Sequence, residues 1–489
     1  MAGVGGASAR VVMALLGLAA LMSGAMVACE PLSFTAVPQQ NCVAKHQGTL
    51  GPEGGVIMPL AARDPTDKAN SVSSIYALNA SDGALAWSCA STTYSGWNDV
   101  QRVNGVIYAL AGTEYTHEGA PTHVHAIYAI RPRDGKQLWA YSFRAGTAGP
   151  LAFGGGLLFA TTVTGEVTRG FPGHHAGDNT PPPAQWGLLA IHADSGALAW
   201  SATLAGDPGQ PVPVAGRVVV PLNNGGNEWS LQAFNGATGA TAWSYQLSRG
   251  VADLITLATR DGALYAEVDR SLIALDGASG AVRWSRMIPL PASGVNSALG
   301  LAQFTANAII APQDQGVSAF ELATGAPLWS APMGQFPTIW VSPDQRVYAL
   351  TDSANNTPDR LVALDGDTGN TIWSRDVSNL QGLGLTPGAG GQVYMTAPTG
   401  ARFDESVVAV DARGADRWRH DGTSPYNSGI LLQRGADLYY IWQAPNGVAA
   451  GNPADTTYVT LLNASDGSER WQTALPGLNG DAIAPTLVP

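Results

Sequence analysis

Leu272-Ile273-Ala274-Leu275-Asp276-Gly277-Ala278-Ser279-Gly280-Ala281-Val282-Arg283-Trp284 carries the fold in one line. The run Leu272–Leu275 is a short apolar segment of strand length. Asp276 ends it, and a carboxylate there accepts backbone N–H groups of the following residues as an Asx turn. Ser279 and Gly280 come next, and Gly supplies the positive-φ position of a short hairpin loop. The chain then returns as a second strand bearing Trp284. Ile75-Tyr76-Ala77-Leu78-Asn79 running to Trp87 repeats the phrase, as does Leu361-Val362-Ala363-Leu364-Asp365 running to Trp373.

Nine tryptophans anchor nine such phrases: Trp87, Trp139, Trp200, Trp243, Trp284, Trp329, Trp373, Trp418 and Trp471. They recur at intervals of about 40–60 residues. Each has Gly four residues earlier, and Ala stands ten residues before the first seven. At Trp418 the turn is one residue shorter, and Ala409 keeps its place on the strand; the ninth phrase has Leu461 there instead. Small residues paired with bulky indoles suggest positions that interlock between neighbouring repeats. Between the phrases lie further strand-like runs, among them Gly105–Leu110, Leu157–Thr162, Arg217–Leu222, Gly262–Val268, Gln345–Leu350, Gln392–Thr396 and Asp437–Trp442. Four strands per period is the sequence form of a β-propeller blade. A lone blade cannot bury both faces, so the ring must close. Ala482–Val488 reads as the missing inner strand of the first blade. The expected fold is therefore all-β: a propeller of four-stranded antiparallel blades, nine in number. An open all-β array or two sandwiches is the other arrangement such repeats allow.

Composition agrees. Gly 59 and Pro 32 disfavour regular helix, and with only 13% charged residues a coiled coil is excluded. The 45% of hydrophobic residues excludes a disordered acidic chain. A net charge of −12 argues against a nucleic-acid partner, which demands a basic groove.

The N-terminus reads as an address. Arg10 precedes an apolar run from Val11 to Ala28 that ends at Cys29, the pattern of a secretory signal peptide. Met26-Val27-Ala28-Cys29 resembles a bacterial lipobox, with Met26 where Leu is usual. The same run also fits plain cleavage near Ala28 or an uncleaved anchor. The layout that follows is a signal peptide over 1–28, a lipobox cysteine and linker over 29–42, and one propeller over 43–489. If Cys29 takes lipid, Cys42 and Cys89 remain as a pair in an oxidising compartment. Their bridge would tie the N-terminal segment to the first repeat; two buried free thiols are the alternative.

The spacing Ala-x-[Asp/Asn]-x-x-[Ser/Thr]-Gly-x-x-x-Trp resembles the tryptophan-docking repeat of the pyrroloquinoline quinone (PQQ) propeller family, over roughly residues 43–489. Members of that family usually have eight blades, whereas nine phrases stand here. The resemblance implies one of two behaviours. One branch holds quinoprotein dehydrogenases acting on an alcohol or sugar, with PQQ and Ca²⁺ over the central channel beneath a vicinal disulfide. The other holds cofactor-free lipoproteins, similar to the propeller subunit of the outer-membrane β-barrel assembly machinery, which bind other proteins. No two cysteines are adjacent here, so no cofactor is expected, and PQQ with Ca²⁺ is the alternative. Asp365-Gly366-Asp367-Thr368-Gly369-Asn370 has the look of a calcium loop but falls inside the hairpin phrase and lacks the distal Glu.

Other candidates are few. Trp97, Trp186, Trp229, Trp340 and Trp442 fall outside the phrase, and Trp340 is placed to face the channel or to pack between blades. His117, His123, His125, His174 and His175 lie in two insertions, residues 111–126 and 163–185. Of these His123, His125, His174 and His175 could meet as a Zn²⁺ or Cu²⁺ site, or be polar loop residues. No Gly-x-Ser-x-Gly, His-Glu-x-x-His or phosphate loop occurs. The expected function is binding without catalysis: a protein or peptide partner on the ring face, membrane attachment through lipid, and a monomer outside its complex.

Overall fold

A computed structural model describes residues 42–488, apart from 64–70, 95–96, 113–123, 146, 165–184, 226–227, 248–255, 269–270, 288–302, 314–315, 334, 353–358, 378–383, 399–404, 425–428, 445–455 and 477–484. Within them the chain forms nine antiparallel sheets in sequence order and one short 3₁₀ turn, Ala389–Gly391. The sheets are the nine blades the repeats predict. Blade 5 shows the pattern: Thr256–Arg260, Ala263–Val268, Ser271–Asp276 and Val282–Met287 pair in that order. First strands of successive blades touch one another, as Ala152–Gly154 touches Val212–Val214 and Leu385–Pro387 touches Ile430–Arg434. The first strand of each blade is thus innermost, and the tryptophan-bearing fourth strand lies outermost.

Ring closure is mixed. Thr486–Val488 pairs antiparallel with Gly55–Ile57 and supplies the innermost strand of blade 1. It is shorter than the predicted Ala482–Val488, of which 482–484 lie outside the described residues. Blade 1 also gains a fifth strand that the sequence does not announce. Cys42–His46 pairs outside Leu85–Tyr94, and Cys42 and Cys89 are joined by a disulfide with Cα atoms 5.4 Å apart.

Register explains the Ala–Trp spacing. Ala274 stands directly opposite Trp284, and the ladder slips by one residue immediately beyond it. The same pairing and bulge recur in every blade, with Leu461 opposite Trp471 in blade 9. Directly opposed residues share a sheet face. The small-against-large partnership therefore lies inside one blade, where the indole lies over its cross-strand neighbour. Between blades the indole meets a glycine instead.

Candidate binding faces and the seams between blades

Gly280 shows why that glycine is required. Its φ is +73°, and a Cβ there would fall 2.5 Å from Cδ2 of Trp243 in the preceding blade. No other residue satisfies both constraints. The turn is fixed by Gly280 N–H donating to Asp276 O at 2.8 Å and by Ser279 N–H donating to Asp276 Oδ1 at 3.0 Å. The Trp243 indole N–H then donates to Gly277 O, three residues before the glycine, at 3.2 Å. Corresponding bonds run from Trp87 to Pro132 O at 2.7 Å, from Trp329 to Gly366 O at 3.0 Å, and from Trp471 back to Ala80 O at 2.9 Å. Each blade is thus locked onto the next, and the ninth onto the first.

One seam departs. Asp411-Ala412-Arg413-Gly414 is the short turn, and Trp373 lies over Gly414. The carbonyl matching Gly366 O is Ala412 O, and it accepts from Arg346 Nη1 at 3.1 Å. The Trp373 indole N–H is buried without a partner among the described residues. Arg375 adds a contact to Gly414 O at 3.3 Å and an ion pair with Asp416 at 2.5 Å.

Arginines beside the first inner turn of several blades form a second set of links, which the sequence reading missed. Arg217 Nε donates to Ala278 O of the next blade at 3.3 Å, and Arg260 Nη1 to Thr305 O at 2.6 Å. Arg434 reaches Val488 O and Glu53 O, the latter at 2.9 Å. A readable signal was the residue pairs beside them, such as Asp261-Gly262, whose positive φ values of +50° and +72° mark a tight hairpin turn.

Alternating strand direction gives the ring two unlike rims. Turns between first and second and between third and fourth strands share one rim, so the nine phrase turns crowd there, six of them with Asp or Asn at the strand end. At the other rim Gly112 pairs with His125 in blade 2, and Thr164 pairs with Gln185 in blade 3. Both insertions leave and re-enter adjacent blades at that rim.

The histidine candidates are only partly described. His123, His174 and His175 lie outside the described residues, as do His117 and Cys29. His125 belongs to the strand Val124–Ile130, 1% exposed, stacked on Phe143 at 5.6 Å. Its ring fills the space where Gly112 lacks a side chain: a Cβ there would fall 1.8 Å from Nδ1. The other tryptophans pack. Trp340 lies against the core between blades 7 and 8 that includes Tyr348 and Met395. Trp442 stacks on Tyr458 at 4.1 Å, Trp97 donates to Ser74 O at 3.1 Å, and Trp186 borders a core with Leu188 and Leu204. Trp229 borders another with Leu231 and Leu247.

Carboxylates in the seams are shaped by the turns. Asp276 is held down to about 2, first by Arg283 at 2.8 Å and then by Ser279. Asp365 Oδ1 accepts from Thr368 N–H at 2.9 Å and Thr368 Oγ1–H at 2.8 Å, which lowers its pKa. Near the axis Asp99 behaves oppositely: burial raises it, although Leu151 N–H and Gln101 Nε2–H donate to it at 2.8 and 2.6 Å.

The calcium-like loop does not fit a Ca²⁺ site, because it directs Asp365 into its own turn. Among the described residues no three of His, Cys, Asp and Glu are grouped to hold a cation.

Comparison with known proteins supports the same family. The serine/threonine-protein kinase AfsK of Streptomyces griseus is 28% identical over 191 residues, 37% of this chain and 21% of that protein. The chain thus spans about a fifth of the length of the curated relative it matches. Among solved structures, BamB from Moraxella catarrhalis is 17% identical with a TM-score of 0.45, over 70% of this chain and 89% of that one. A eukaryotic initiation factor is 11% identical with a TM-score of 0.55, over 89% of this chain and 98% of that one, a likeness of fold alone. A family model described as outer membrane protein assembly factor BamB matches residues 123–313 and again 313–484. With that match covering most of a ring locked blade to blade by its indoles, the chain belongs to the BamB family of PQQ-repeat propellers.

Proposed function

We propose that the chain is an exported, lipid-anchored scaffold that docks a protein or peptide partner on one ring face and has no catalytic centre. Residues 1–28 direct export and are removed, Cys29 carries the lipid, and 29–42 tether the propeller to a membrane of the cell envelope. Outside its complex it is a monomer. Family membership supports the binding role. The observation that carries the choice of face is the rim where the insertions of blades 2 and 3 leave their strands side by side. Blade edges offer a mode of engagement, β-augmentation by an extended peptide. Blade 1 already receives Cys42–His46 in that manner.

The test is affinity capture of the intact chain from detergent-solubilised membranes, beside a variant with residues 113–123 and 165–184 replaced by short Gly-Ser links. A partner that co-purifies with the first and not the second is the expected result. Cys29→Ser should move the protein to the soluble exported fraction. Titration with PQQ and Ca²⁺ tests the dehydrogenase alternative: saturable tryptophan quenching with dye reduction would end the scaffold reading.

A further inference from the structure

The blade-turn arginines differ in one respect. Arg217, Arg260, Arg346 and Arg434 each donate to a carbonyl of the following blade. Arg102, two residues before the Asn104-Gly105 turn of blade 2, does not. Its Nε is buried without a hydrogen-bond partner among the described residues, and the side chain lines a cavity of about 660 Å³ between blades 1 and 2. Two more arginines, Arg131 and Arg133, line the same cavity.

Topology creates this space. After Cys42–His46 the chain must return from the outer edge of blade 1 to Gly55–Arg63, so it crosses the turn rim. Leu50 N–H bonds to Arg133 O at 2.8 Å, and Gly51 N–H to Asn79 Oδ1 at 2.8 Å. That crossing forms one wall of a gap between the blades that stays open to solvent, and Val488 of the closing strand borders it. Among the described residues no other blade has such a crossing segment.

Charge is uneven there. Asp134 binds Arg131 through two contacts, at 2.8 and 2.5 Å, and so fixes the guanidinium in place. Arg133 makes no side-chain hydrogen bond or ion pair among the described residues. Partly buried Arg102 and exposed Arg131 and Arg133 thus border one cavity with a single carboxylate partner, in a chain of net charge −12. Arg102 Nε is itself closed off from the cavity, so an anion there would be held by the outer nitrogens of the guanidiniums. The planar fork of arginine matches the spacing of oxygens in carboxylate and phosphate groups.

We infer that this cavity is an oxyanion site, taking the phosphate or carboxylate group of a small ligand between Arg102, Arg131 and Arg133. It stands independently of the scaffold reading, since it lies on the turn rim. The test is calorimetric titration of the full mature chain, at low chloride, with inorganic phosphate and separately with succinate. One saturable site per chain is expected, and the tighter probe assigns phosphate or carboxylate as the source. Arg133→Gln and Arg102→Gln should each weaken binding at least ~tenfold. Arg102→Lys keeps charge while losing the fork, and should weaken it less. Arg217→Gln, on a distant blade, should leave the affinity unchanged; circular dichroism checks that each variant is folded. Absence of saturable binding, or an affinity unmoved in folded Arg133→Gln, would overturn the site.

Discussion

Two seams of the same ring are built differently. Where blade 9 meets blade 1, Trp471 is buried over Gly83, donates to Ala80 O, and is flanked by Thr473 Oγ1 donating to Gly83 O at 2.7 Å. Where blade 7 meets blade 8, Trp373 covers Gly414 less closely, a Cβ there falling 2.9 Å from Cδ2 against 2.6 Å for Trp471 at Gly83, and its N–H finds no acceptor among the described residues. The turn at blade 8 is one residue shorter, so the carbonyl of Ala412 is taken by Arg346. Packing of an indole on a glycine is thus the constant part of the device. The hydrogen bond is interchangeable with guanidinium contacts from either side. The 9–1 seam carries an additional burden, because the strand that crosses it, Thr486–Val488, is held in blade 1 only by pairing with Gly55–Ile57, so closure of the ring is non-covalent there.

Removing the rings should separate the seams most. Trp471→Ala opens a cavity and leaves the Ala80 carbonyl unpaired, at a cost of ~3–5 kcal/mol. Trp373→Ala opens a similar cavity but removes no hydrogen bond, so it should cost less. Urea denaturation monitored by circular dichroism measures both, and the Trp471 variant should also broaden the transition as the ring loses closure. Equal costs would break the comparison.

The disulfide acts on one side only. Cys42–Cys89 spans 47 residues of sequence and clamps the fifth strand of blade 1. Loop entropy assigns such a bridge ~4 kcal/mol at most. Reduction should lower the melting temperature and sensitise the segment 42–54 to protease before any other. Afterwards Trp471→Ala should be more damaging than in the oxidised protein, while Trp373→Ala should be unaltered. If reduction moves both variants equally, the bridge supports the ring generally rather than its closing blade.

Trp→Phe substitution sharpens the contrast further, because it keeps an aromatic ring and deletes the N–H. Trp471→Phe should cost ~1–2 kcal/mol more than Trp373→Phe. The difference between the two urea midpoints isolates the hydrogen bond, provided the slopes agree.

The sequence made the blades legible because each phrase is bound by local rules that tolerate little substitution. Gly280 must have positive φ and must lack a side chain, and Asp276 must accept N–H groups within three residues. Nine blades and the site of closure followed from counting such phrases. The innermost strands were harder: Gln303–Phe304 is only two residues long and alternates nothing. Cys42–His46 carries a burial pattern with one inward residue and four outward, so no periodicity marked it as a strand. The tryptophan–alanine spacing was visible, but cross-strand and between-blade neighbours produce the same spacing, and only the register separates them. His125 shows the limit for candidate sites. In Val-His-Ala-Ile-Tyr-Ala-Ile its neighbour Gly112 leaves a space for the ring, and that space is a property of the partner strand. The arginine links and the cavity at Arg102 depend on where one blade ends relative to the next, which no local pattern encodes.

Acid should expose the turns, with the smallest effect of the four. Asp276 has an ordinary value of 3.8 and a folded value of about 2, set by Arg283 and Ser279. A lowered folded value means stabilisation present above the unfolded value and lost as pH falls through the folded one. Asp365 and Asp411 are lowered too, by Thr368 in the long turn and by Ala415 and Arg413 N–H in the short one. Stability should therefore decline between about pH 4 and pH 2. Asn79, Asn235 and Asn463 occupy the same position in other blades, so Asn keeps the turn without titrating. Asp365→Asn and Asp411→Asn should each flatten this acid limb slightly, measured as the urea midpoint against pH. Asp99 works in the opposite sense, since burial raises it and ionising it costs stability as pH climbs above 3.8. Asp99→Asn should accordingly leave the limb below pH 4 no flatter than in the unaltered chain. A limb flattened by Asp99→Asn and untouched by the turn variants would place the acid sensitivity at the axis and not in the seams.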